Sequence, residues 1–231
     1  MFIATAAIGA PLPSILYTGF GYDGANRSSY SLGGVAIGTA HAKRTLLIWT
    51  NGGNTFLGPS DPNNQVANLT VNGTPGTRVY TAPFTAFGSS TTTIWVCPLA
   101  TGTTATIAFS NPAGKDLSFG AAHVFAAYHL RSATPVSANA LFSGGGNFSV
   151  SQAIPTQSNG VIALWGNEVS GGTAGPFTWT NATEDADTVY SGGTANGVPY
   201  TTAHAERVAA GTRTVTLATG DECTMYWCSM R

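Results

Sequence analysis

The 231-residue chain carries nine Lys/Arg and ten Asp/Glu, 8% charged with a net charge of −1, where an ordinary soluble domain has about 25%. Its 43% hydrophobic content is too high for a disordered chain. It lacks the clustered Lys/Arg of a nucleic-acid or anionic-membrane binder, and no apolar run reaches the ~18 residues of a bilayer span.

So little charge near neutrality favours association. A subunit of a larger assembly is therefore the first expectation, and a lone β domain kept soluble by its hydroxyl groups is the alternative. The chain opens on an apolar stretch, Met1–Leu16, containing Phe2, Ile3, Ile8, Leu12, Ile15 and Leu16. It has no basic flank and is broken by Pro11 and Pro13, so a cleaved secretory signal is not expected. Residues 1–30 read instead as a docking arm with a first strand. Phe2, Ile3, Ile8, Leu12 and Ile15 are the candidate contacts to a partner, with the loop 52–64.

Short apolar runs follow, punctuated by turn residues every 8–12 positions, the pattern of a sandwich or barrel. Predicted strands are Ser14–Tyr22, Tyr30–Ile37, Thr45–Asn51, Val66–Val71, Thr92–Leu99, Thr104–Ser110, Ala121–Arg131, Phe148–Ile154, Gly160–Val169, Phe177–Asn181, Tyr200–Val208, Arg213–Ala218 and Cys223–Met230. In the run 121–131, period-two alternation puts Ala122, Val124, Ala126, Tyr128 and Leu130 on one face, and His123, Phe125, Ala127, His129 and Arg131 on the other. Residues 92–110 read as one hairpin, and 213–230 as a second of the same design. No convincing helix is present, and no repeat of 20–50 residues is visible. The expected fold is all-β: an antiparallel two-sheet, jelly-roll-like sandwich of about eight to twelve strands, with 31–231 as a single domain.

Three cysteines, Cys97, Cys223 and Cys228, do not make a disulfide framework. Cys223 and Cys228, five apart in one strand, face opposite sides, and buried free thiols are expected. Glu184, Asp185 and Asp187 crowd one predicted loop. Alternating acids can supply the oxygens a hard cation needs, but the EF-hand spacing is absent. A solvated loop, or one meeting a basic patch on a neighbouring subunit, is the preferred reading. No cofactor is expected.

His41, His123, His129 and His204 are scattered. His123 and His129 stand six residues apart, roughly 20 Å along a strand, too far to share an ion. His204 and Glu206 share a face and could pair. No G-x-S-x-G or H-E-x-x-H motif occurs, and no glycosidase carboxylate pair is readable. Trp49, Trp95, Trp165 and Trp227 sit in apolar strands and read as core. Trp179, between Thr178 and Thr180, is the candidate exposed ligand contact.

Four segments carry a resemblance. Gly38-Thr39-Ala40-His41-Ala42-Lys43-Arg44 leads into an apolar strand, and Leu69-Thr70-Val71-Asn72-Gly73 reads as a hairpin. Pro98-Leu99-Ala100-Thr101-Gly102-Thr103-Thr104-Ala105-Thr106-Ile107 is a third element, and Trp179-Thr180-Asn181-Ala182-Thr183-Glu184-Asp185-Ala186-Asp187 a fourth. Their order over about residues 33–220 resembles a family of β-sandwich virion proteins of tailed bacteriophages, especially those of alphaproteobacteria. The resemblance implies a non-enzymatic structural part of a phage particle, made in the bacterial cytoplasm and located in the virion, and carries over no catalytic residue. A capsid decoration or cement protein is the leading expectation, binding copies of itself (a homotrimer) and the major capsid protein or other virion proteins, but no nucleic acid and no membrane. A tail, collar or fibre component is the second reading. A carbohydrate-binding adhesin using Trp179 with loops 170–176 and 191–198 is the third.

Overall fold

A computed structural model describes residues 10–53, 66–83, 90–111, 114–144, 146–168, 176–190 and 198–231. They form seventeen strands: β1 Ser14–Asp23, β2 Ser29–Ala36, β3 Arg44–Gly53, β4 Ala67–Val71, β5 Thr74–Pro75, β6 Thr77–Pro83, β7 Ser90–Pro98, β8 Thr104–Ser110, β9 Phe119–Tyr128, β10 Ser137–Phe142, β11 Ser149–Thr156, β12 Gly160–Glu168, β13 Thr178–Thr180, β14 Thr183–Val189, β15 Pro199–Val208, β16 Gly211–Ala218 and β17 Cys223–Met230. The all-β antiparallel sandwich expected from the alternating runs is present, and the chain builds it twice.

Four sheets are stacked as layers. Two inner sheets have the orders β1-β9-β3-β7-β6 and β10-β17-β12-β15-β14, and two outer sheets the orders β2-β8-β4-β5 and β11-β16-β13. Numbered within its own half, each inner sheet runs first, last, third, sixth, and each outer sheet second, seventh, fourth. That is the strand plan of an eight-stranded jelly roll. The fifth strand has moved to the inner sheet as β14 in the second half. In the first half it is split, with β5 on the outer sheet and β6 on the inner.

Three buried clusters fill the spaces. Leu46, Ile48, Val124, Ile107 and Phe109 pack between the first outer and inner sheets. Ile162, Leu164, Met225, Trp227, Val215 and Leu217 do the same in the second half. Leu47, Trp49, Phe125, Trp165, Tyr200 and Tyr226 form the seam where the inner sheets meet. The central strands of both inner sheets are buried on both faces and so read as near-continuous apolar runs.

Edge strand β1 packs over β15 at one flank of the seam, and β10 over β6 at the other. First strand over late strand on both flanks is an approximate two-fold arrangement. Ile15 N–H bonds to Glu206 Oε1 at 2.6 Å near one end, and Tyr22 stacks on Tyr190 at 4.9 Å toward the other, so β1 is antiparallel to β15. Following the pairings from there makes β3 and β12 parallel. The two sandwiches therefore point the same way.

Two expectations are corrected. Residues 92–110 and 213–230 are not hairpins: β7 and β17 lie in inner sheets, β8 and β16 in outer ones. Each connection crosses the sandwich, so short loop length alone did not imply pairing. The acidic segment 183–189 is strand β14, not a loop, and β6 and β10 were not anticipated. Cys97, Cys223 and Cys228 are free and buried. Cys223 lies in the second-half core and Cys228 in the seam, on opposite faces as alternation requires.

Candidate functional site

Arg44 opens β3 and is 1% exposed. Its guanidinium lies among main-chain carbonyls at one end of the first sandwich. Nε donates to Leu99 O at 2.7 Å. Nη1 reaches Ile37 O, Gly38 O, Thr39 O and Gly102 O at 2.8–3.2 Å, and Nη2 reaches Thr101 O. A planar fork of N–H donors suits this task, because several carbonyls converge and each needs a donor once water is excluded. Desolvation lowers the Arg44 pKa from its ordinary value. The side chain ties the 37–43 connection to the 99–103 connection. Tyr128 Oη adds a bond to Thr39 O at 3.0 Å. Gly38, at φ 74°, leaves no room for a side chain: a Cβ would stand 2.7 Å from Tyr128 Oη and 2.9 Å from Ala126 Cβ.

Two of the motif segments thus meet at one guanidinium, and the other two perform a shared task. Asn72 (φ 49°) and Asn181 (φ 63°) hold left-handed positions in the two-residue turns β4–β5 and β13–β14, where Asn is tolerated better than most residues. Asn72 Oδ1 accepts from Thr106 N–H at 2.8 Å, and Asn181 Nδ2 donates to Thr214 O at 2.9 Å. Each pins its turn to the equivalent strand, β8 or β16. The turns and connections of all four segments lie at the same end of the doubled sandwich, and the fourth runs on from there along β14.

The described part of the N-terminal arm arrives there too. Ala10, Pro11, Leu12 and Pro13, with Lys43, Pro98, His129, Leu130 and Arg131, line a recess of about 540 Å³. Leu12 is 45% exposed, and Lys43 and Arg131 are exposed. The rings of His41 and His129 are 4.6 Å apart. His41 Nδ1 accepts from Lys43 N–H, and His129 N–H donates to Lys43 O. No motif or spacing could signal this pairing, because the two histidines come from separate connections.

The remaining candidates separate. Phe2, Ile3 and Ile8 lie outside the described residues, as do most of the loop 52–64 and nearly all of 170–176 and 191–198. Ile15 is not free to touch a partner: it is 2% exposed, in the seam. Trp179 is corrected likewise. It is 9% exposed in the second core, and its Nε1 donates to Thr201 Oγ1 at 2.9 Å. Its threonine neighbours point outward while it points in, the alternation of a half-buried strand.

Glu184, Asp185 and Asp187 gather no third kind of metal donor: among the described residues no cluster of His, Cys, Asp and Glu could hold an ion. Asp185 pairs with His204 at 2.8 Å, in place of the His204–Glu206 pair the spacing allowed. That bond raises the His204 pKa. His123 is fully buried in the seam, with Nε2 2.9 Å from Tyr190 Oη and its ring 4.2 Å from that of Tyr200. Burial pushes it down to about 3, so it is a neutral core group.

No protein-family model and no curated protein matches the chain.

Proposed function

We propose that this chain is a non-enzymatic structural subunit of a tailed-bacteriophage particle, most specifically a decoration protein of the head. The observation that carries this reading is the convergence of the four motif segments on one end of the molecule. There they build a hydrogen-bonded platform around Arg44 and the two asparagine turns, beside the described stem of the N-terminal arm. Jelly-roll pairs serve many roles, and fold alone does not choose among them. The support comes from the motifs, from the low charge, and from a platform with a ready docking arm.

The physics of such a role is mass action. A protein that binds only the assembled shell stabilises that shell, and bridging several shell subunits multiplies modest contacts into firm retention. The arm residues Phe2, Ile3, Ile8 and Leu12 supply apolar contact area in this scheme. The buried Trp179 leaves the adhesin reading without its aromatic contact.

The test is occupancy on purified particles. Deleting residues 2–12 removes the arm but leaves β1 whole. The expected result is loss of particle binding with an unchanged far-UV CD spectrum and melting temperature, and binding unaffected by the deletion sinks the arm assignment. Quantitative mass spectrometry of particles sets the location: hundreds of copies support decoration, while tens or fewer support the tail, collar or fibre alternative.

A further inference from the structure

The recess at the arm-bearing end combines an apolar floor with a cationic rim. Leu12, Leu130 and Pro98 form the floor, and Lys43 and Arg131 stand at the rim. Among the described residues no carboxylate lines it. The Arg131 main-chain N–H is held by Arg231 O at 2.7 Å and the Lys43 carbonyl by His129 N–H, so the backbone beneath both charges is pinned while their side chains face solvent.

The complement lies elsewhere on the chain. β14 is the outer strand of its sheet, so one side of its backbone is available to a neighbour. Glu184, Asp187 and Val189 are exposed on it, the last at 44%. Asp187 and Val189 are two residues apart and share a face. Partial burial, Asp187 and Asp185 together raise the Glu184 pKa, and burial raises that of Asp187. The three acids crowd one another, and His204 on Asp185 is the one ion pair they make among the described residues.

We infer that the recess receives the acidic β14 edge of a second copy of this chain, with Glu184 and Asp187 against Lys43 and Arg131 and Val189 over the Leu12–Leu130 floor. Charge complementarity selects this occupant. A cationic rim attracts an anionic strand and repels another cationic end, and the apolar floor needs an apolar residue beside the acids. Patch and recess are different surfaces, so the contact is heterologous and closes into a ring or extends as a filament. The inference rests on reading the chain as an assembly subunit. It does not depend on which particle the assembly decorates.

The experiment is a charge swap on the full-length chain, read by sedimentation velocity and mass photometry. Lys43→Glu with Arg131→Glu, and separately Glu184→Lys with Asp187→Lys, are each expected to weaken self-association by about tenfold or more. All four substitutions together, or an equimolar mixture of the two double variants, are expected to restore it. Raising the salt from ~0.05 to ~0.5 M weakens the wild type in parallel. Lys43, Arg131 and Glu184 are exposed, whereas Asp187 also accepts from the buried Thr201 hydroxyl, so near-UV CD is compared with the wild type for each reversal. A monomeric wild type, or self-association that neither reversal alters, overturns the inference. So does the absence of rescue in two well-folded reversals. Copy number in wild-type particles decides the structural role without altering the recess, so the two readings fail independently.

Discussion

At the start of β3 the first sandwich places Arg44; five residues further on comes Trp49 in the seam. At the equivalent start of β12 the second sandwich places Gly160, and five residues on comes Trp165. The connections they close differ in length: seven residues (37–43) between β2 and β3, three (157–159) between β11 and β12. The longer connection turns carbonyls inward, and a side chain must answer them. The shorter one closes on its own backbone, with Gly160 N–H bonded to Gln157 O at 2.8 Å and Asn159 N–H to Val208 O at 2.9 Å. A Cβ at Gly160 would stand 2.5 Å from Met230 O. One strand plan thus accepts two closures, and connection length decides which residue type each requires.

Arg44→Met removes the donor shared by six carbonyls. Thr39 O keeps Tyr128 Oη and the exposed Thr101 and Gly102 can turn to water, but the more enclosed Ile37, Gly38 and Leu99 carbonyls lose their partner, at roughly 1–3 kcal/mol each before relaxation. We expect a loss of at least about 3 kcal/mol in urea unfolding. Gly160→Ala, the matched lesion in the second half, should cost about 1–3 kcal/mol through overpacking. If Arg44→Met proves the milder of the two, the staple is not what holds this end.

In the seam, His123 pairs in register with Trp49, and Tyr226 pairs with Trp165, so the imidazole belongs to one half only. The folded-state pKa of His123, about 3, lies below the unfolded value near 6.5. The unfolded chain therefore binds the extra proton first, and stability contributed by His123 is full above pH 6.5 and lost as pH falls toward 3. The slope should approach ~1.4 kcal/mol per pH unit. His123→Phe should flatten that slope between pH 4 and 6, and an unchanged slope would show the proton uptake lies elsewhere. His204 works in the opposite sense. Its raised pKa adds stability below pH 6.5 that fades as pH rises through the folded value.

The smallest effect separates two kinds of tryptophan. Trp95 Nε1 donates to Thr50 Oγ1 at 2.8 Å, and Trp179 Nε1 to Thr201 Oγ1. The indole nitrogens of Trp49 and Trp165 are buried without a partner among the described residues. Replacement by Phe should cost about 1 kcal/mol more at Trp95 and Trp179 than at Trp49 and Trp165, measured by chemical denaturation. Equal losses would mean that ring volume alone sets the cost.

Much of the fold was legible because half-buried strands write their alternation into the sequence. Thr104–Ser110 and Cys223–Met230 match their observed limits, and residues 122–128 divide between outer core and seam as alternation requires. The strand ends at Tyr128, and with His129 at φ 57° the expected alternation does not extend to 129–131, where Leu130 packs against the seam instead. Sheet membership was not legible. A five-residue connection such as 99–103 can turn back as a hairpin or cross between layers, and Arg44, more than fifty residues away from it, makes the crossing. The doubling was hidden because the halves share few residues beyond Trp49/Trp165, Asn51/Asn167 and Asn72/Asn181. At the candidate site, Leu12 was readable as an exposed apolar residue. The recess was not, because Lys43, His129 and Arg131 meet only after β3 and β9 pair. Trp179 was misplaced by weighing its polar neighbours above its period.

The approximate two-fold has one further consequence. Two separate, identical subunits joined across such a seam would each begin with an arm, whereas here the position before β10 is taken by the connection 129–136 leaving β9. The two flanks of the seam are therefore entered differently, β1 through residues 10–13 and β10 through the connection out of β9, so that surfaces the internal symmetry would make alike are not alike.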